Sequence, residues 1–121
     1  MPMARTRRGR LRQVEAWLRQ EFPPPLETVV RVESVKDAMG DCGLVGGRLV
    51  VRVHNRATWY HAIDLMLHEW AHACAWQREK QEHNRTWSDV YGRIYRAWYS
   101  GGGAEASRAL HFVERELPQS W

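Results

Sequence analysis

Two imidazoles four residues apart bracket a carboxylate in the stretch His68-Glu69-Trp70-Ala71-His72. The surrounding run, from Trp59 to about Gln77, holds no Gly or Pro and reads as helix. On a helix, side chains four apart share one face, so both imidazoles can grip a single metal ion. Glu69 follows the first imidazole and can reach a water on that ion as a general base. This H-E-x-x-H spacing predicts metal-assisted hydrolysis, with zinc as the expected ion. A bare His pair more commonly serves packing or the surface, and the setting argues otherwise here. The flanks, 62–67 and 73–76, are strongly apolar apart from Asp64. They place the motif on a largely buried helix, where polar groups without partners are costly; a bound metal removes that cost.

Catalytic zinc usually takes three protein ligands and keeps one position open. Downstream of His72 the donors are Glu79, Glu82, His83 and Asp89, with Glu105, His111 and Glu114 further on. Glu79 would point along the helix rather than round the far side of a tetrahedron. The charged stretch 78–82 reads as the end of the first helix and a turn. A second amphipathic helix begins near Asn84 to Thr86, with Trp87, Val90, Tyr91, Ile94 and Trp98 at helical spacing. Thr86 followed by Asp89 reads as its capping arrangement. His83, at the entry to a helix folding back across the first, is the favoured third ligand. His111 and a carboxylate remain the alternatives.

An apolar helix with H-E-x-x-H, a polar turn, then a His ahead of a helix with an aromatic close behind: this order resembles the SprT-like (Spartan-type) zinc metallopeptidases. In that family the second segment reads H-G-x-x-[FW]; here it is His83-Asn84-Arg85-Thr86-Trp87. The resemblance spans roughly residues 44–98 and rests on three His and one Glu. It implies that His68, His72 and His83 hold Zn2+ and that Glu69 is the catalytic base. Asn84 departs from the usual Gly, and Asn tolerates a left-handed backbone next best. Relatives often carry a Cys-rich zinc ribbon, which Cys42 and Cys74 are too few to build. The resemblance further implies cleavage of proteins at or near DNA. In zincin-type peptidases the substrate chain lies extended along an edge strand, which here would be Leu49, Val50, Val51, Arg52 and Val53.

The expected chemistry is endopeptidase hydrolysis of a protein or peptide. The metal would lower the pKa of a water toward about 7 and polarise the scissile carbonyl, and Glu69 would carry the proton to the leaving amine. Tyr91 and Tyr95 are candidate donors to the tetrahedral oxyanion, although core or surface roles are simpler for each. Asp64 is a candidate to orient a ligand imidazole, with a solvated place near the helix start as the simpler reading. Trp70, on a free position of the motif, should face the core.

The scaffold that must position these groups is legible as periodicity. Leu11, Val14, Trp17 and Leu18 recur at helical spacing from Arg10 to Phe22, and Pro23-Pro24-Pro25 stops that helix. The β-branched run 28–35 reads as a strand. After a break at 39–41, residues 42–45 and 48–53 read as two short strands joined at Gly46-Gly47. The motif helix and the His83 helix follow, then a break at 100–103 and a final helix over 104–117. The expected fold is α+β, a small zincin-like domain: N-terminal helix, three-stranded antiparallel sheet, motif helix and two further helices.

A chain of 121 residues with 44% hydrophobic content suits one modest core. Seven Trp are many for this length, and core packing is the simplest account of most. The net charge of +4 is localised: Arg5, Arg7, Arg8, Arg10 and Arg12 crowd residues 1–12, and without them 13 basic face 14 acidic side chains. Residues 1–12 are thus expected to form a basic, disordered arm, a candidate contact for DNA phosphates, and 13–121 a single domain. No apolar run follows the arginines as in a secretory signal, none is membrane-spanning in length, and two Cys give no disulfide framework. A cytoplasmic location is therefore expected, with no membrane partner. Another class of function is a zinc-stabilised nucleic-acid- or protein-binding module, closed by a fourth ligand such as Cys42. Metal-dependent nucleic-acid hydrolysis fits the His spacing poorly, and zinc deaminases require a Pro-Cys-x-x-Cys element absent here. Oligomeric state and substrate identity are not encoded in any recognisable pattern.

Overall fold

The structure, a computed structural model, describes residues 6–76 and 83–100, with Trp59 by its backbone only. The expected helix over 104–117, His111, Glu79, Glu82, Glu105, Glu114 and Arg5 lie outside the described residues. Six elements follow in order: α1 (Arg7–Glu21), β1 (Thr28–Glu33), β2 (Gly40–Val45), β3 (Arg48–His54), α2 (Trp59–Cys74) and α3 (Arg85–Ser100). The class is α+β.

Helix α1 starts three residues earlier than its apolar periodicity suggests. The Thr6 hydroxyl accepts from the Gly9 N–H at 2.9 Å and caps it. Arg7, Arg8, Arg10 and Arg12 therefore stand on a helix rather than on a disordered arm. Arg7 and Arg10 are buried, whereas Arg8 and Arg12 are exposed. The inner face of α1 presents Leu11, Val14 and Leu18 to the core.

The sheet is mixed, with strand order β1-β3-β2, which corrects the antiparallel expectation. β2 and β3 form the expected hairpin through Gly46 and Gly47, at φ 59° and 80°. Those left-handed values at both central residues are what a two-residue turn of matching twist needs. β1 instead runs parallel to β3, pairing Thr28 with Leu49 through Glu33 with His54. The connection from β1 to β2, residues 34–39, carries the chain past β3 to its far side. β3 is thus the central strand, and Leu49, Val50, Val51, Arg52 and Val53 are paired on both sides. Their backbone has no free edge for a substrate, so the expected substrate strand is corrected: β1 and β2 are the edges.

Leu49, Val51 and Val53 point inward with Val30 and Val32, against Ala62, Ile63, Met66, Leu67 and Trp70 of α2. Trp70 does face the core, fully buried, with its indole N–H donating to the Phe22 carbonyl at 2.9 Å. That carbonyl also accepts from the Cys74 thiol at 3.3 Å, which fastens the end of α2 to the end of α1. Ile94 and Trp98 of α3 close the core, Trp98 meeting Trp17 edge-on at 5.1 Å. No helix among the described residues is long and apolar enough to cross a membrane.

Candidate metal centre

Helix α2 is capped by Thr58, whose hydroxyl accepts from the His61 N–H at 3.3 Å. It buries one face on the sheet, which leaves His68 and His72 half-buried on the side turned toward α3. The chain re-enters at His83, and Asn84 starts α3: its Oδ1 accepts from the Trp87 N–H at 3.0 Å. Asn84 is therefore the cap in place of Thr86, and its backbone is not left-handed, since Asp37 is the one described non-Gly residue with positive φ. Its side-chain acceptor, rather than backbone tolerance, is what the turn uses.

This turn brings His83 onto the motif. The ring centroids of His68, His72 and His83 form a near-equilateral triangle of 5.1, 4.9 and 4.9 Å. One ligating atom from each lies within 4.8 Å of the other two, and His83 is the exposed member. His68 Nε2 and His83 Nε2 stand 3.1 Å apart. Two nitrogens on one tetrahedral zinc at 2.0–2.1 Å would be about 3.3 Å apart, so the donor set fits that ion. Burial lowers the pKa of His72 to about 4, aided by His68 and His83, and burial with His83 lowers that of His68. Both are thus neutral at pH 7, the protonation state a metal requires. Among the described residues the group holds no fourth donor, and Cys42 is not a member of it.

Trp87 was read from the sequence as helical periodicity and as the aromatic of the His83 segment, without a contact to the imidazoles. Its ring lies 4.9 Å from His68, 4.4 Å from His83 and, nearly parallel at 23°, 5.2 Å from His72. Its indole N–H donates to the His68 carbonyl at 3.3 Å. One flat side chain thus backs all three imidazoles and limits their rotation. The signal was present in its spacing, one turn beyond His83.

Glu69 is buried, 6% exposed, against the start of β2. Burial, then the Asp41 charge, raises its pKa to about 7, a value suited to proton exchange near neutrality. Asp41 is held by Arg52, whose Nε donates to Oδ1 at 2.7 Å and whose terminal nitrogen donates to Oδ2.

Tyr91 stands 5.6 Å from the His68 ring, next to Trp87. Tyr95 continues the stack at 6.0 Å and is 44% exposed, one rung further from the imidazoles. Tyr99 follows at 4.4 Å. Asp64 Oδ1 accepts a hydrogen bond from the Tyr99 hydroxyl and so ties α2 to α3; neither expectation for Asp64 foresaw this. Arg8 and Arg12 line a separate cleft of about 240 Å³ with Arg31 of β1, while Glu15 and Glu33 in its wall engage Arg19 and Arg52. Comparison of the chain with family models, curated proteins and solved structures returned no match.

Proposed function

We propose that this chain is a zinc-dependent endopeptidase of the SprT-like kind. The observation that carries the reading is the triangle of three imidazoles, two from α2 and one from the turn into α3, with a buried carboxylate beside it. His68, His72 and His83 would hold Zn2+, which when bound supplies a lowered water pKa and an electrophile for the scissile carbonyl. Glu69 takes a proton from the attacking water and delivers it to the leaving nitrogen. Trp87 holds the imidazoles in place, and Tyr91, the nearer of the two tyrosines, is the candidate donor to the oxyanion. The substrate is a protein or peptide, and Arg8 and Arg12, with Arg31, offer a surface for DNA phosphates.

The experiment is cleavage of an unfolded protein by the purified chain, with and without single-stranded DNA. Cleavage should stop on chelation and return with zinc. A protein that binds zinc, unfolds when chelated and never cuts would instead be the zinc-stabilised binding module. That module would need a fourth protein ligand to close the site; among the described residues the group has three donors, and Cys42 is not one of them.

A further inference from the structure

We propose, resting on the reading of Glu69 as general base, that Gly40 is a positioning residue for its carboxylate. Gly40 opens edge strand β2 opposite Val53. A methyl group there would lie 3.0 Å from the Arg52 carbonyl oxygen, tighter than a Cβ normally sits, and would touch Glu69 Oε2 at 3.4 Å and Cγ at 3.5 Å, ordinary van der Waals distances. A methyl thus fills the space beside the carboxylate, and a larger side chain exceeds it. Gly43, on the same strand, has nothing within 4 Å of such a methyl. Gly40 is not in the left-handed region, where Gly46 and Gly47 are the described glycines, so its requirement is space rather than backbone conformation. Glycine inside a strand commonly marks such a close approach.

The strand itself resists yielding. The β2–β3 ladder holds Gly40 to Val53 and Asp41 to Arg52. The Arg52–Asp41 side-chain pair reinforces that register, and the His54 N–H donates to the Met39 carbonyl at 2.8 Å just before Gly40. The carbonyl of Arg52 belongs to a strand paired on both sides. Of the three nearest neighbours of position 40, Glu69 is the one side chain and the Arg52 carbonyl is fixed backbone, so a side chain larger than a methyl displaces the Glu69 carboxylate. The three imidazoles, carried by α2 and the start of α3, stay where they are.

The test compares Gly40→Ala and Gly40→Val with Gly43→Ala and Gly43→Val. A displacement of about 1 Å can cost about 100-fold in rate. Gly40→Val should thus lower kcat at least about 10-fold and Gly40→Ala less, with KM and zinc content unchanged; both Gly43 variants should match wild type. Adding Glu69→Asp, one methylene shorter, should make the further loss from Gly40→Val disappear. Equal kcat for the Gly40 and Gly43 valine variants would overturn the proposal, and so would loss of zinc in the Gly40 variants. Thermal stability provides a readout without turnover: Gly40→Val should cost less in a Glu69→Ala background than in wild type. An equal cost in both would assign the crowding to the Arg52 carbonyl alone and overturn the proposal. If wild type cuts nothing while that stability coupling is present, the peptidase reading fails and the placement of Glu69 by Gly40 stands.

Discussion

His68 Nε2 and His83 Nε2 meet at 3.1 Å across fifteen positions of sequence. Nothing in the local chain requires this contact; the Asn84 cap and the packing of α3 on α2 produce it. His83→Ala should therefore lower zinc affinity by more than about 100-fold, beyond what loss of a supporting residue costs. The zinc content of dialysed protein checks this. His111→Ala should leave it unchanged. The opposite pattern would give His111 the third position.

Glu69→Gln should retain one zinc per chain and lose peptide cleavage by at least about 100-fold, the lower range for a general base. Gln preserves the shape beside Gly40 but cannot accept the proton. Metal analysis and a cleavage assay on one preparation check both halves, and full activity in the variant would remove Glu69 from the mechanism.

Trp87→Ala should loosen all three imidazoles and lower zinc affinity about 10- to 100-fold, the range for residues that orient ligands. Trp87→Phe keeps a flat ring but loses the indole N–H that reaches the His68 carbonyl, and should fall between Ala and wild type. Competitive titration with a chromophoric chelator ranks the three proteins.

Much of this architecture is written in local patterns. The helical stripe through Leu11, Val14 and Leu18, the Gly46-Gly47 turn and the unbroken run around His68 each depend on neighbours in sequence. The parallel pairing of β1 with β3 does not, because partner choice is made between distant segments. Reading Leu49–Val53 as an edge failed for that reason. The arginines misled differently. Charge alone treats Arg7 and Arg10 as solvated, yet the Thr6 cap begins the helix early enough to carry them into the packed face. In the candidate site the two motif imidazoles and Glu69 were plain from spacing. The wall made by Trp87, the Asp64–Tyr99 tie and the wedge of space at Gly40 exist only once helix meets helix and strand.

The metal-free protein should show opposed proton linkages. Burial keeps His72 and His68 neutral when folded, while unfolded imidazoles take up protons below about 6.5. Their stabilising contribution is present above that pH and is lost as pH falls below it, for His72 as pH falls toward 4. Glu69 acts in reverse: raised to about 7, it contributes stability at low pH that is lost as pH rises through 7. Glu69→Gln removes only the second effect. The melting temperature of the metal-free variant, relative to wild type, should therefore climb as pH rises from about 4.5 to 7. A difference that stays constant over this range would mean that Glu69 is not buried as described.

The account depends most directly on whether one metal ion sits among three imidazoles. X-ray anomalous scattering at the zinc edge, from crystals of metal-replete protein, measures this. The account predicts a single peak per chain bonded to His68, His72 and His83, with Glu69 close by but not bonded. A site among these residues without a peak, or with the His83 ring turned away from the ion, would contradict it.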